Sequence, residues 1–384
     1  MLGWELPPSI TGGLGIACDG LLRGIGEVGG ASVRFVLPAA PMPFAVYPKT
    51  IGVLELDGCE EALRPDRCLH GAYASSSEKA SRYAAAVLRS LERIGDFDLI
   101  HAHDWLTFEA ALNVKRITGK PLVLHVHSTE QDRSGYHRAN PVITMLERDG
   151  MDAADRIVAV SRYTKEGLVR YYGQAADKID VVYNAGTRVG ALPPTSTDGS
   201  VSFIGRITEQ KGPEIFVETA LRICEIVPDA RFVMAGDGNL LPMIRSLVRA
   251  LGLADAFSFL GFIGREDVLR LLHSSQVLVM PSLSEPFGLV ALEAIQAGVP
   301  VVLSQNCGLI ERVENVACVD PEDAETIAAV TIDLLRNPAR ARARALAAAH
   351  EVSRLSWTES ATALLRVYRA ALTLQPTMAA ETSC

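Results

Sequence analysis

No run of apolar residues in the 384-residue sequence approaches the roughly 18 that a membrane-spanning helix requires, and the N-terminus has neither the basic region nor the apolar stretch of a secretory signal. These absences lead us to expect a cytoplasmic protein with no membrane association. A block of basic residues is also missing. Lys and Arg number 37 against 45 Asp and Glu, a formal charge of −8, which excludes the electrostatic footprint of a nucleic-acid partner. The arginines of RARARALAAAH (340–350) read as the solvated face of an exposed helix. The seven cysteines (18, 59, 68, 224, 307, 318 and 384) form no Cys-x-x-Cys pair and show no zinc-like spacing with histidine, so reduced, mostly buried thiols and no metal are expected. Aromatic residues are scarce at 6%, whereas 31 glycines and 20 prolines suit a protein with many strand-to-helix turns.

At this length the chain exceeds one ordinary hydrophobic core and suits two domains with a cleft between them. From Ser200 onward short β-branched runs alternate with longer helical ones, placing strands at 201–205, 231–236, 257–262, 276–282, 299–304 and 317–320. The first half repeats the pattern with strands at 33–38, 98–103, 121–128, 156–161 and 179–184. Continuous apolar runs without alternation mean burial on both faces, hence parallel sheets covered by helices. The expected fold class is α/β, with two doubly wound, Rossmann-like parallel-sheet domains facing a cleft. The stretch AGTRVGALPPTSTDG before Ser200 has the composition of a linker, so we divide the chain into domains at 1–190 and 191–356. A final amphipathic helix at 357–375 has no strand to follow it and is free to pack back on the first domain. Residues 40–77 read as an irregular insertion, and the tail beyond Gln375 as disordered. Only MLGWELPP precedes the turn at Gly12 and Gly13, where a doubly wound domain needs a central strand. That strand is expected to be shortened or missing, with the domain either beginning upstream of Met1 or tolerating a damaged centre.

In open α/β sheets ligands bind beyond the carboxyl ends of the strands. After 201–205 comes RITEQKG, whose Arg206 fork and Lys211 point charge match the oxygens of a diphosphate, although two surface cations on a loop would look the same. AGDGN (235–239) is not a G-x-G-x-x-G fingerprint and fits either a turn against a ligand or a tight connection. In SEPFGLVALEA, Ser284 suits an N-cap and Pro286 a first helical position, which would leave the N–H groups of Phe287, Gly288 and Leu289 free for an anion. Glu285 lies just outside that helix and Glu293 about two turns further on, rotated by roughly 80°. Carboxylates so placed suit hydroxyls at two ends of one extended ligand rather than one shared atom. GGLG (12–15) would open another helix towards a phosphate. HAHDW (101–105) and HVHS (125–128) end buried strands in histidines, with His101 and His103 on one face, Asp104 able to cap the next helix and His127 at the cleft.

The set GGLG, HAHDW, HVHSTEQDRSG, GRITEQKG and SEPFGLVALEA resembles the retaining glycosyltransferases of the GT-B fold, in particular the family-four enzymes and the bacterial glycogen and starch synthases. The resemblance runs from Gly3 to about Tyr368 and is strongest over 97–160 and 201–305. It implies a nucleoside-diphosphate sugar as donor and a carbohydrate or small-molecule acceptor, with no cofactor and no metal. Arg206 and Lys211 would hold the diphosphate, Glu285 the donor sugar's hydroxyls and Glu293 the ribose. Gly288 and Leu289 would add backbone N–H groups to the phosphate site. His127 would lie near the anomeric carbon, and Gly13 would meet the phosphate on closure.

Two departures stand out. The lysine of the Lys-x-Gly-Gly loop in glycogen and starch synthases is replaced by Ile10, which argues against ADP-glucose and glycogen elongation, and Gln131 stands where relatives carry an aromatic residue. Two doubly wound domains also suit an NAD-dependent dehydrogenase, but the dinucleotide fingerprint is lacking. A non-catalytic sugar-nucleotide-binding homologue and a GT-B epimerase are the remaining alternatives. The helix at 78–95 has mixed charge rather than the basic, apolar face that suits a lipid-linked acceptor.

Overall fold

A computed structural model describes residues 1–8, 10, 12–38, 47–56, 72–136, 138–186 and 200–374, with the backbone alone at 72–76. The expected tail and nearly all of the expected linker lie outside these residues.

Two parallel sheets are present, as the unalternating apolar runs require. The first contains β1 (Val33–Pro38), β2 (Ile51–Leu56), β3 (Ile100–His103), β4 (Leu122–Val126), β5 (Arg156–Ala159) and β6 (Ile179–Val181). β1 pairs with β2, and β3 through β6 pair in sequence. Between β1 and β3 lies the N-terminal segment itself. Leu2 bridges in parallel to Val36 on one side and Ala102 on the other. The Leu2 N–H donates to His101 O at 2.7 Å, and the Gly3 N–H to Val36 O at 2.9 Å. The central strand is therefore present in shortened form. With it, the order is β2-β1-N-terminal segment-β3-β4-β5-β6.

The second sheet contains β7 (Ser200–Ile204), β8 (Phe232–Ala235), β9 (Phe257–Gly261), β10 (Ser275–Met280), β11 (Val301–Ser304) and β12 (Ala317–Val319), in the order β12-β11-β10-β7-β8-β9. Val277, Leu278 and Val279 at its centre are wholly buried, because helices cover both faces. Strand order reverses between β7 and β10. The carboxyl ends of those two strands thus form the crevice where an open α/β sheet takes its ligand.

Two expectations for 40–77 need correction. β2 lies inside that stretch, and the helix Ala72–Arg89 begins there. IGVLEL has neither alternation nor enough length to stand out alone, and its pairing with β1 makes it a strand. The arginine-rich helix Pro338–Val352 behaves as read, burying Ala341, Ala345, Ala348 and Val352 while Arg340 and Arg342 remain exposed.

The last helix, Trp357–Thr373, packs along the first, Gly13–Val28. Their shared core includes Leu21, Leu22, Ile25, Leu364 and Tyr368. The helices approach at glycines. A Cβ on Gly20 would lie 2.1 Å from the Trp357 ring, and one on Gly24 would lie 2.2 Å from the Trp357 carbonyl oxygen. Because a backbone atom cannot swing aside, Gly24→Ala is expected to cost about 1–3 kcal/mol and lower Tm in a thermal melt. An unchanged Tm would show that the two helices do not hold this spacing.

Candidate active site

The crevice between β7 and β10 is built by two loops locked together. Gly212 has a left-handed φ of 64°, and a Cβ there would lie 2.2 Å from Pro281 O, so only glycine lets the backbones approach. The Leu283 N–H donates to Gln210 O at 2.9 Å, and Gln210 Nε2 donates to Ser284 O at 3.1 Å. This contact brings Lys211 Nζ to 2.5 Å from Glu285 Oε2, an ion pair that is largely buried. Arg206 stands beside it and donates to Gln210 Oε1 at 2.9 Å. Its side chain is exposed to the cleft. Partial desolvation and then Arg133's like charge lower its pKa, while Glu285 pulls the other way. AGDGN is a tight connection behind this loop. Cβ atoms on Gly236 and Gly238 would strike Gly205 O and Ile207 O.

The helix in the SEPFG segment starts later than expected, at Leu289, with Gly288 as its N-cap at φ 100°. The preceding backbone is committed elsewhere. The Glu285 N–H donates to Asn306 O at 2.9 Å, the Gly308 N–H to Glu285 O at 2.9 Å, and Ser161 Oγ to Pro286 O at 2.6 Å. Ser284 is not a cap, since its hydroxyl donates to Asp132 Oδ1 at 2.7 Å. The N–H groups without an intrahelical acceptor are therefore those of Leu289, Val290 and Ala291. A Cβ on Gly288 would lie 2.9 Å from Cys307 Sγ. Glu293, on this helix, is 4% exposed and pairs with Arg265 at 3.0 Å. Burial raises its pKa against the pull of Arg265.

Across the cleft, the helix Gly13–Val28 begins without a side-chain cap. Glu5, almost wholly buried, accepts the Gly15 N–H at 2.9 Å and steadies that turn. A Cβ on Gly13 would lie 3.3 Å from Leu289 Cδ1. Two helix N-termini, one from each domain, thus meet beside Arg206 and the Lys211–Glu285 pair. Each carries about half a positive charge. The arrangement is one that accepts a multiply charged anion with hydroxyls at its end.

His127 follows β4 and is half-buried. Its Nε2 lies 3.0 Å from His103 Nδ1, and its ring stacks on His125 with centroids 4.2 Å apart. Burial lowers its pKa to about 3, which leaves the imidazole neutral. Asp104 does not cap the following helix with its side chain. Its carboxylate instead accepts the His127 N–H at 2.7 Å, holding the backbone that presents that ring.

Several residues that no motif singled out join the two domains. Tyr136 and Tyr163 hydroxyls lie 3.3 and 3.2 Å from Ser284 Oγ, completing a polar cluster with Asp132. Glu311 of the second domain accepts the N–H groups of Arg162 and Tyr163 at 3.0 and 2.7 Å, so it closes the N-terminus of the helix Arg162–Tyr172 in the first. Within the first domain, Arg133 of DRSG pairs with the buried Glu147 at 2.6 Å. Of these, Asp132, Arg133 and Ser284 lie in motifs read from the sequence.

Residues 191–351 match the family of glycosyl transferases group 1, and residues 11–185 match glycosyltransferase family 4. The chain is 30% identical to a glycogen synthase of Mycobacterium tuberculosis over 97% of its own length and 94% of the relative's. Its fold is similar to that of sucrose-phosphate synthase from Thermosynechococcus elongatus, with a TM-score of 0.79 at 20% identity, covering 97% and 99% of the two chains. It is also similar to Anabaena HepE in complex with UDP and glucose, with a TM-score of 0.74 at 18% identity over 96% and 99%.

The cross-domain cap provides a test of closure. Glu311→Ala removes the acceptor for two helix N–H groups and is expected to cost about 0.5–2 kcal/mol. It should also enlarge the radius of gyration in small-angle scattering while circular dichroism stays unchanged. Scattering identical to the parent protein would mean that this contact does not hold the domains together.

Proposed function

The chain belongs to the group 1 and family-four glycosyltransferases of the GT-B fold, and we propose from this premise that it transfers a hexose from a nucleoside-diphosphate sugar to an acceptor hydroxyl with retention of configuration and without a metal. The observation that carries the reading is the convergence of two helix N-termini, at Gly13 and Leu289, beside Arg206 and Lys211. Backbone N–H groups and two cations in one cleft suit a diphosphate better than any uncharged ligand. Glu285, with one oxygen held by Lys211, keeps its other oxygen for the hydroxyls of the sugar.

In this scheme the donor's diphosphate lies between the two helix ends, with Gly288, Leu289 and Gly13 closing round it. Arg206 and Lys211 balance the charge that develops on the leaving phosphate as the glycosidic bond breaks, an electrostatic contribution of the kind that dominates such catalysis. The acceptor hydroxyl attacks the same face of the anomeric carbon, and the leaving phosphate takes its proton. His127 flanks that carbon as a neutral imidazole. Glu293, held by Arg265, takes the ribose hydroxyls at the far end of the nucleotide. The donor is a UDP-, ADP- or GDP-hexose, and the reaction belongs in the cytoplasm with a soluble glucan, disaccharide or small-molecule acceptor.

Glu285→Ala, Arg206→Ala and Lys211→Ala are each expected to lower kcat by at least about 10²-fold, the loss typical when one stabilising donor is removed. Calorimetry should find one of UDP, ADP or GDP bound selectively, and that binding should be lost in Arg206→Ala. Transfer should survive a strong chelator. Full activity in all three variants would refute the site.

A further inference from the structure

Behind the cleft, the first domain stacks four histidines, three of them fully buried. His101 and His103 come from β3, His125 from β4 and His127 from the turn after it. Parallel pairing of the two strands in register, His103 opposite His125, sets the rings side by side. Ring centroids of His101, His103 and His125 lie 4.3 to 5.4 Å apart. All three side chains are at most 1% exposed.

The nitrogens of this stack are not accounted for. His101 Nδ1 lies 2.6 Å from the Tyr368 hydroxyl, and His103 Nδ1 faces His127. The buried His101 Nε2, His103 Nε2, His127 Nδ1 and both nitrogens of His125 have no hydrogen-bond partner among the described residues. A buried polar atom without a partner costs about 1–3 kcal/mol. Five of them in one histidine stack point to a ligand that takes one lone pair from each ring. One ligand atom from each of His101, His103 and His125 lies within 4.8 Å of the others, and Cys18, His103 and His127 form a second such set.

We propose that His101, His103 and His125 bind a transition-metal ion of zinc(II) or copper(I) type, with Cys18, which lies in reach of His103 and His127, as the candidate further ligand. At the 4.8 Å limit a point equidistant from three nitrogens lies about 2.8 Å from each, so each ring moves inward by roughly 0.7 Å to reach a zinc–imidazole bond of about 2.1 Å. The rings are now tilted by 11 to 34°, and they aim their lone pairs by turning about χ2, a soft torsion in histidine. Imidazole and thiolate together select zinc or copper(I) over magnesium, calcium or manganese. A dication among neutral rings needs compensating charge. A coordinating thiol loses its proton outright, so Cys18 would supply one negative charge. An ion so enclosed is loaded as the chain folds and contributes to its stability. It takes no part in the transfer proposed above.

The test uses the full chain and does not read activity. Metal analysis of the purified protein, followed by calorimetry of the stripped protein with zinc and with copper(I) under reducing conditions, is expected to give about one equivalent per chain and a higher Tm on loading. Cobalt(II) substitution should give intense visible bands, with a sulfur-to-metal charge-transfer band lost in Cys18→Ser. His125→Leu removes two unpartnered nitrogens, so its fold should persist, yet it should weaken binding by more than the roughly 10- to 100-fold typical of outer-shell partners. No metal in the purified protein and no binding by the folded, stripped protein would overturn the proposal. So would binding that His125→Leu leaves unchanged.

Discussion

Everything in the candidate site hangs on the approach of two loops at the point where the strand order of the second sheet reverses. Gly212 lies against Pro281 O because it has no side chain, and that contact sets Lys211 opposite Glu285. A buried ion pair is a weak source of stability, since desolvating both partners offsets their attraction. Its value here is positional. Removing one partner would leave the other buried and uncompensated, so the pair holds both side chains at the crevice with their remaining hydrogen-bonding capacity facing the cleft. Gln210, bonded to Leu283 and Ser284 of the facing loop and to Arg206, extends the same frame to the second cation.

The fold was legible in the sequence wherever one segment's pattern settles its own structure. Apolar runs such as QVLVM and LVLHV are buried on both sides, and nothing but a central parallel strand accommodates them. Legibility ended where a segment depends on a distant partner. Leu2 is a strand residue only because Val36 and Ala102 flank it, and IGVLEL is one only because β1 lies alongside. Ser284 and Pro286 have the chemistry of a helix start, but Asp132 and Ser161 in the other domain claim their hydroxyl and carbonyl, and the helix begins three residues later than expected. Local propensity lost to tertiary hydrogen bonds.

The site divides along the same line. Arg206, Lys211 and Glu285 follow strand ends, a position that can be inferred from alternation of elements alone, and they cluster as that rule implies. Glu5 and Glu311 act on backbone N–H groups 10 and roughly 150 residues away, and no spacing encodes that. The histidines are intermediate. Alternation placed His101 and His103 on one face, but the meeting with His125 depends on the register of β3 against β4. A search for zinc-type spacing along the chain could not find ligands that sheet pairing brings together from the side.

The carboxylate of Glu311 has a consequence for the modularity of this chain. A helix in one half is finished by a residue that belongs to the other, and the first half's opening helix is likewise covered by the last helix of the chain. Neither half presents a complete surface to a foreign partner. A chimaera that joins the first half of one relative to the second half of another would have to transplant Ser161–Thr164, Glu311 and the Gly24–Trp357 contact as a matched set. Diversification of such a chain is therefore expected to proceed by changing loops at the mouth of the cleft, with the two halves inherited together.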